Sequence, residues 1–166
     1  MFSVEAIEEE GERLNIILQL FRDYAKELNE NLCFQQFDKE LENPLLKYGP
    51  PSGSLLLGTW NGETAACIAL TALKEEKTCE MKRLYVVPGY RKLGIGRLLV
   101  DEILKTAERN GYHTMKLDTL EKLQPAIRLY ESFGFEHTTA YYANPISGVV
   151  YMSKHLSRSV ENHFSR

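Results

Sequence analysis

The segment "VPGYRKLGIGRLLV", residues 87–100, stands where an apolar strand gives way to an apolar helix. Gly94 and Gly96 fall in the opening turn of that helix. A glycine within a helix costs about 1 kcal/mol relative to alanine, so two of them here indicate a role for the backbone. Two interpretations compete: close packing of the helix on the sheet, or an anion site built from unpaired N–H groups and the helix dipole.

Basic residues flank the two glycines. Arg91 and Lys92 precede them and Arg97 follows, so charge-assisted partners for phosphate oxygens are at hand. Missing side chains at both glycines would let such oxygens approach the N–H groups. The segment has neither the GxxxxGK[ST] pattern of a P-loop nor the third glycine of a dinucleotide motif. The pattern therefore favours a pyrophosphate site of another kind.

The apolar spacing along the chain predicts an alternation of strands and helices. We predict strands at 2–8, 78–87, 113–120, 136–142 and 148–155, a hairpin over 54–73 that turns at Asn61-Gly62, helices at 10–28, 37–41, 94–110 and 124–133, and a loop at 43–54. Antiparallel strands followed by a strand–helix–strand crossover indicate an α+β fold. We expect one mixed, mostly antiparallel sheet of about seven strands flanked by about four helices.

The length of 166 residues favours a single domain, which we place at 1–156, and we expect residues 157–166 to be a frayed tail. A net charge of −3 argues against a nucleic-acid partner. The sequence shows no secretory signal and no apolar run that could span a membrane. The three cysteines and four histidines lack metal-ligand spacing, so we expect no metal, reduced thiols and a cytoplasmic location.

Two segments resemble motifs of the GCN5-related N-acetyltransferase (GNAT) superfamily. "RLYVVPGYRKLGIGRLLV", residues 83–100, is similar to its acyl-CoA pyrophosphate motif [R/Q]-x-x-G-x-[G/A], which Arg91, Gly94 and Gly96 fill. "AIRLYESFGF", residues 126–135, is similar to its second motif, and the predicted element order matches that fold over nearly the whole chain. The segments "FQQF", "YGPP" and "YYANPISG" also resemble a largely uncharacterised bacterial subgroup.

The resemblance implies an acetyl-CoA-dependent N-acetyltransferase that modifies a primary amine of a small molecule or, less favoured, a protein lysine. The alternative is a non-catalytic acyl-CoA-binding sensor or regulatory module. A homodimer is left open. Contacts to the acyl donor are expected from the strand end, with main-chain contacts at Leu84 and Val86, and from the glycine segment. The expected donor-binding residues are Leu84, Tyr85, Val86, Arg91, Lys92, Leu93, Gly94, Ile95, Gly96 and Arg97.

Transfer of an acetyl group to an amine needs a base for the amine proton and an acid for the leaving thiolate. The resemblance implies Glu80 as the base, with a surface carboxylate paired with Lys82 or Arg83 as the alternative. It implies Tyr130 as the acid, since a phenol pKa lies near that of a thiol. The alternative is a core tyrosine on the apolar face of its helix.

The acceptor is expected to enter between the N-terminal helices and the last two strands. Candidate lining residues are Phe34, Gln35, Tyr141, Tyr142 and Asn144. The acidic balance of the chain weakly favours a cationic acceptor. Leu123 stands where many superfamily members have an asparagine that helps to hold the donor, so either Gln124 or the pair Asp118 and Thr119 takes that role.

Overall fold

In the part of the chain that the structure describes, seven strands form one mixed sheet in the order β1-β2-β3-β4-β5-β7-β6. The structure, a computed structural model, describes residues 1–30, 32 and 36–156. Every neighbouring pair in the sheet is antiparallel except β4 and β5. The strands are β1 (Phe2–Ala6), β2 (Ser54–Trp60), β3 (Glu63–Ala72), β4 (Thr78–Val86), β5 (Thr114–Leu120), β6 (Glu136–His137) and β7 (Val149–His155).

Helices cover both faces of the sheet. They are α1 (Glu12–Leu28), α2 (Phe37–Glu42), α3 (Pro44–Tyr48), α4 (Ile95–Arg109) and α5 (Gln124–Ser132), with a 3-10 turn at Pro88–Tyr90. Helices α4 and α5 pack on one face and α1, α2 and α3 on the other, which gives two buried apolar clusters. The crossover from β4 through α4 to β5 accounts for the one parallel pair.

The alternation of side chains along the central strands divides the core between these two faces. On β2 and β3, Leu56 and Ile68 lie in the cluster with α4, whereas Leu57 and Cys67 lie in the cluster with α1. This division follows from the two-residue period of a strand. Strand β3 is therefore apolar on both sides and reads as a continuous hydrophobic run, "AACIAL", at residues 65–70.

The predicted α+β class, the single mixed sheet and the order of elements are confirmed. The hairpin turn also forms as predicted: Asn61 and Gly62 both adopt positive φ, 51° and 85°, as a two-residue type I′ turn requires. The division into a domain at 1–156 and a tail stays a prediction, because residues 157–166 lie outside the described part of the chain.

Two boundaries were predicted wrongly. Residues 43–54 were predicted as a loop, but Pro44–Tyr48 forms helix α3, so the described residues include five helices rather than four. Proline suits the first turn of a helix because its missing N–H would be unpaired there, and Tyr48 anchors the short helix in the core. The strand predicted at 136–142 spans only Glu136–His137, because the tyrosines that follow bind side chains of other strands.

Strand β4 carries a bulge at its centre. Cys67 of β3 pairs with Tyr85 and Ala69 pairs with Lys82, so Ile68 alone faces two residues of β4. Arg83, one of those two, adopts a φ of 60°, which is uncommon for a residue with a side chain. A bulge of this kind places two successive side chains on the same face of the sheet. Lys82 and Arg83 both turn toward the α1–α3 face as a result.

The Arg83 side chain is buried in an ion pair with α2. Its Nε and Nη2 donate hydrogen bonds of 2.8 and 3.0 Å to the two carboxylate oxygens of Glu40. Burial alone would raise the pKa of Glu40, but the hydrogen bonds and charge of Arg83 lower it below its ordinary value of 4.5. The carboxylate is therefore the stable form of Glu40 in the folded protein.

We predict that Glu40→Gln lowers the free energy of unfolding by about 3–5 kcal/mol, because it leaves the buried guanidinium without a counter-charge. Urea unfolding of the two proteins measures the difference. A matched control is Asp101→Asn, which breaks the exposed ion pair with Lys105 and is expected to cost at most about 1 kcal/mol. Equal losses in the two variants would contradict a structural role for the Glu40–Arg83 pair.

The same pair makes stability depend on pH in a defined direction. The folded-state pKa of Glu40 is lowered, so its contribution is present above the unfolded-state pKa and is lost as pH falls through the folded-state pKa. The difference in unfolding free energy between the parent protein and Glu40→Gln should therefore shrink on acidification. Unfolding curves at neutral and at acidic pH test this, and a difference that grew with acidity would contradict it.

Candidate active site

The parallel ladder between β4 and β5 is short. It joins Thr78 to Thr114 and ends where Glu80 meets Lys116, although both strands continue beyond that point. β5 stays paired with β7 along its whole length, and β4 stays paired with β3 on its other side. The two strands therefore diverge into a wedge, and main-chain groups of β4 that face this wedge are not paired with β5.

A cavity of about 110 Å³ fills the wedge. Residues 81–84 of β4 and 117–120 of β5 form its two walls, while Tyr24 of α1 and Tyr130 of α5 also line it. Since α1 and α5 lie on opposite faces of the sheet, the cavity passes through the sheet at the gap between the strands. A ligand in this gap can reach groups on both faces.

Tyr130 lies in the second predicted motif, residues 126–135. It is the residue of that motif that both lines the wedge cavity and has an ionisable side chain. The residue is 8% exposed, and its ring makes an edge contact with Phe135 at 6.0 Å. Among the described residues no hydrogen bond to its hydroxyl is found, and burial raises the pKa of the phenol above its ordinary value of 10.0. The structure thus places a protonated phenol at the cavity, on the apolar face of α5.

Gly94 and Gly96, the two glycines of segment 87–100, differ in conformation and in surroundings. Gly94 is the N-cap of α4 with a φ of 81°, and a Cβ built on it would meet no atom within 4 Å. A Cβ on Gly96 would lie 3.4 Å from Leu129 Cδ2 of α5. Gly94 therefore serves a left-handed backbone with open space outside it, which fits the anion-site interpretation. A Cβ at Gly96 would be in van der Waals contact with the Leu129 side chain, so Gly96 lies where α4 meets α5.

The basic residues around the glycines are partly engaged with the protein itself. Arg91 donates hydrogen bonds of 2.7 and 2.6 Å to both carboxylate oxygens of Glu27 on α1, and a third of 2.9 Å to the Val86 carbonyl. Its guanidinium also lies 5.6 Å from the centre of the Tyr85 ring. Arg91 thus ties the loop after β4 to α1. Direct contact of this side chain with a phosphate would require it to leave Glu27.

Arg97 donates a hydrogen bond of 3.0 Å to Ser132 Oγ on α5. Lys92, with a φ of 68°, and Leu93 are exposed on the loop, while Ile95 is buried in the core at 1% exposure. Because the Ile95 side chain is buried, Ile95 can contact a ligand only through its main-chain atoms. Leu84 and Val86 are half-buried against the α4 side of the core, and Tyr85 packs on the α1 side.

A second cavity of about 460 Å³ lies beside α3. Lys82 lines both cavities, so they adjoin at this residue. Glu80 is buried at 5% exposure, and its Oε2 accepts a hydrogen bond of 2.6 Å from the Tyr141 hydroxyl. Its Oε1 lies 3.7 Å from Lys82 Nζ. The alternative for Glu80, a surface carboxylate paired with Lys82 or Arg83, therefore does not hold for its exposure, whereas the pairing with Lys82 is present.

The predicted acceptor residues that follow β6 lie at the two cavities: Tyr141 and Tyr142 line the second cavity, and Asn144 lines the wedge cavity. Tyr142 donates a hydrogen bond to Asp118 of β5, and Asn144 Nδ2 donates another of 3.0 Å to the same carboxylate oxygen. Tyr141, Tyr142 and Tyr151 make mutual edge contacts with ring centres 5.3–5.8 Å apart. These contacts fix residues 141–144 over the edge of the wedge. Phe34 and Gln35 lie outside the described residues.

Leu123 occupies the position at which many superfamily members have an asparagine, and Gln124 or the pair Asp118 and Thr119 was suggested to take its role. Gln124 is exposed, and its Nε2 donates a hydrogen bond of 2.5 Å to the Glu121 carbonyl. Asp118 and Thr119 line the wedge cavity together with Leu123. The geometry favours Asp118 and Thr119 as the polar groups available to a ligand there.

Two site residues were not predicted in the roles that they take. Glu27 pairs with Arg91 and Glu40 with Arg83, in each case from a helix far away in the sequence. No local pattern could have shown these pairs. Lys82 carried a signal, since it follows Glu80 by two residues on a strand and must therefore share its face.

Comparisons with known proteins agree with this fold. The sequence model of the Acetyltransferase (GNAT) family matches residues 15–135. The chain belongs to the GNAT family. It is 48% identical over 140 residues to an uncharacterised N-acetyltransferase of Schizosaccharomyces pombe, covering 84% of this chain and 86% of the relative. An uncharacterised N-acetyltransferase of Dictyostelium discoideum is 28% identical over 207 residues, covering 89% and 96% respectively.

The crystal structure of a GNAT-family acetyltransferase from Staphylococcus aureus superposes with a TM-score of 0.75 at 21% identity, covering 93% of this chain and 100% of that one. The prediction of a GNAT N-acetyltransferase is thereby confirmed at the level of fold, family and enzyme class. The resemblance to a bacterial subgroup stays a prediction. Within the described residues, no helix of this GNAT protein is both long enough and apolar enough to cross a bilayer.

The residues of the site fit acetyl-CoA, the acyl donor that the family implies. The N-terminus of α4 opens onto free space at Gly94, as an approaching phosphate requires. The divergence of β4 from β5 leaves main-chain groups for a pantetheine arm and thioester. With Arg91 held by Glu27, the contacts to phosphate would come chiefly from N–H groups of the loop and the first turn of α4.

We predict that Gly94→Asp weakens the binding of coenzyme A at least about tenfold relative to Gly94→Asn. The two side chains have nearly the same size, and asparagine and aspartate both tolerate a left-handed backbone. Only the aspartate places a negative charge beside the proposed phosphates. Titration calorimetry with coenzyme A gives the two dissociation constants, and thermal unfolding checks the fold. Equal constants would contradict an anion site at Gly94.

Proposed function

We propose that this GNAT-family protein is an acetyl-CoA-dependent N-acetyltransferase that acts on the primary amine of a small molecule. The observation that supports this most directly is the gap between β4 and β5. A buried carboxylate, Glu80, stands where the ladder ends, and a buried phenol, Tyr130, lines the cavity that passes through the gap. The candidate acid thus lines the wedge cavity and the candidate base lines the second cavity, which adjoins it at Lys82.

The acyl donor supplies an acetyl group activated as a thioester. We propose that the N–H groups of residues 92–97 bind its pyrophosphate and that main-chain groups of Leu84, Tyr85 and Val86 bind the arm that leads to the thioester. β4 runs from Glu80 along the wedge directly into the glycine loop, which supports one continuous site for the donor. Donors fixed in a backbone need no rearrangement to stabilise charge on the thioester oxygen.

Glu80 is proposed to take the proton of the attacking amine. Its Oε2 is occupied by the Tyr141 hydroxyl, which leaves Oε1 to face the second cavity. Tyr141 thereby holds the carboxylate in one orientation. Proton transfer by a positioned group of this kind contributes roughly a hundredfold to ten-thousandfold in rate.

Tyr130 is proposed to donate its proton to the thiolate sulfur as the thioester breaks. Burial raises the pKa of the phenol, so the phenol is protonated at neutral pH but is a weaker acid than one whose pKa matches a thiol. The surrounding apolar residues keep bulk water from competing for the proton. The core-tyrosine alternative does not explain why this side chain also lines the wedge cavity.

A small acceptor is favoured over a protein lysine because the candidate base is buried. Glu80 is 5% exposed, and Tyr141 and Tyr142 cover the cavity that leads to it. The alternative of a non-catalytic acyl-CoA sensor is less favoured, since both groups proposed for proton transfer line the two adjoining cavities. Buried free thiols at Cys67 and Cys79 support the proposed cytoplasmic location.

We predict that Tyr130→Phe lowers kcat roughly a hundredfold and leaves the affinity for coenzyme A unchanged. The ring keeps its packing against Phe135, so stability should change little. Because the pKa of Tyr130 is raised, the loss should be equal from about pH 6 to about pH 9. Thiol release from acetyl-CoA, measured against pH with a panel of primary amines, tests this. Equal rates for the two proteins would remove Tyr130 from the mechanism.

We predict that Glu80→Gln lowers kcat by a similar factor of roughly a hundred, because the amide cannot accept the amine proton. The matched control is Glu76→Gln, which removes the same charge from an exposed residue before β4 and should leave the rate unchanged. Both variants are assayed with the same acceptor at saturating acetyl-CoA. If no primary amine supports thiol release by the parent protein although coenzyme A binds, the proposed activity is wrong.

A further inference from the structure

Glu80 and Lys82 form a buried pair of opposite charges that faces the second cavity. They are two residues apart on β4, so they share one face of the sheet, and they are 5% and 7% exposed. Glu80 Oε1 and Lys82 Nζ lie 3.7 Å apart, which is too far for a hydrogen bond. The two groups therefore attract each other without satisfying each other's hydrogen-bonding capacity.

The remaining contacts of the pair leave room for a third group. Glu80 Oε2 is taken by Tyr141, but within the described part of the chain no hydrogen bond to Lys82 Nζ is found. Burying an ammonium group is costly unless hydrogen bonds replace those that it made to water. Consistent with that cost, burial lowers the pKa of Lys82, and an anion bound beside it would favour its charged form.

The lining of the second cavity carries an excess of positive charge. Four lysines line it against two glutamates: Lys47, Lys74, Lys82 and Lys116 against Glu75 and Glu80. The chain as a whole has a net charge of −3, so the cavity departs from the balance of the surface. The expectation of a cationic acceptor followed from the net charge of the whole chain, which is not the charge of this cavity, and it stays a prediction. An amine without an anionic group would be repelled by Lys82 as it approached Glu80.

We propose, on the basis of the function proposed above, that the acceptor is a free amino acid. Its amino group would lie at Glu80 Oε1 and its carboxylate at Lys82 Nζ. An amino acid has its ammonium group and its carboxylate attached to the same carbon. These two groups match Glu80 Oε1 and Lys82 Nζ, which lie 3.7 Å apart. A protein lysine or an internal peptide segment has no carboxylate at that position. Lys82 is thus a specificity-determining residue that binds the acceptor.

The reaction is balanced with these groups alone. The ammonium group of the amino acid first releases one proton to solvent. The neutral nitrogen then forms a bond to the acetyl carbon while the bond from that carbon to sulfur breaks. The second amine proton passes to Glu80, and Tyr130 gives its proton to sulfur. Exchange with solvent restores both side chains, and the products are an N-acetyl amino acid, coenzyme A and one proton.

The test compares acceptors that differ only at the carboxylate. Each free amino acid of a panel is assayed beside its amide and its decarboxylated amine, with thiol release from acetyl-CoA as the readout. We expect kcat/KM for at least one amino acid to exceed that for its amide at least about tenfold, since a site built for a polar group rejects an analogue that lacks it. Added salt should raise KM for the amino acid more than for the amide.

Variants at Lys82 separate recognition from stability. Lys82→Met removes the charge and keeps the chain length, so the preference for the free acid over the amide should fall toward one, while coenzyme A binds as before. Lys82→Arg keeps the charge and should retain most of the preference. The matched control is Lys105→Met, an exposed lysine on α4, which should preserve the parent preference.

The outcomes distinguish this inference from the function on which it depends. If amides and simple amines are acetylated as well as the free acids, or if a folded Lys82→Met protein keeps the preference, the inference is overturned and the N-acetyltransferase stands. If no amine of any class is acetylated, both fail. If Lys82→Met does not fold, the acceptor panel with the parent protein and Lys82→Arg decides the question.

Discussion

The arrangement of the site depends on where the parallel ladder between β4 and β5 ends. Both strands are held on their outer sides, β4 by β3 and β5 by β7, so neither is free to close the gap. Past Glu80 and Lys116 the two strands diverge within an otherwise continuous sheet. The result is a polar opening in the middle of a hydrophobic core. A flat sheet of fully paired strands would offer no main-chain group to a ligand and no passage between its faces.

The bulge at Arg83 determines which side chains of β4 lie beside this opening. Without the extra residue, Lys82 and Arg83 would point to opposite faces. With it, both side chains lie on the α1–α3 face, and the guanidinium of Arg83 is buried between Glu40 and the rings of Phe37 and Tyr24, at 5.2 and 5.6 Å from their centres. The ion pair with Glu40 thus connects the β4 wall of the wedge to α2. Stability and the shape of the site depend on the same residue.

Much of the fold could be predicted from local patterns, because periodicity and turn chemistry act over short distances. The Asn61-Gly62 turn, the start of α4 at the glycines and the end of α5 before Gly134 each follow from a few adjacent residues. Helix α3 was missed because its five residues are too few to show a helical period, and its formation depends on burying Tyr48. Strand β6 was predicted too long because side-chain bonds of Tyr141 and Tyr142 replace the ladder.

The sequence predicted individual candidate residues of the site, but it did not predict the side-chain contacts between them. The sequence indicated Glu80, Tyr130, the glycine loop and the tyrosines near the C-terminus as separate features. It could not show that Arg91 is held by Glu27, 64 residues earlier in the chain, or that Glu80 binds Tyr141, 61 residues later. Contacts at such separations depend on the packing of whole elements, which no local pattern records.

The proposed donor and acceptor ends of the site differ in the kind of group that they offer a ligand. At the proposed donor end the side chain of Arg91 is engaged with Glu27, so the groups left for binding are those of the backbone of the wedge and of α4. At the proposed acceptor end the groups are side chains, those of β4 and the tyrosines. Main-chain groups persist through most substitutions, whereas a side-chain site changes with single residues. The choice of acceptor can therefore vary on this scaffold while the binding of the acyl donor stays the same.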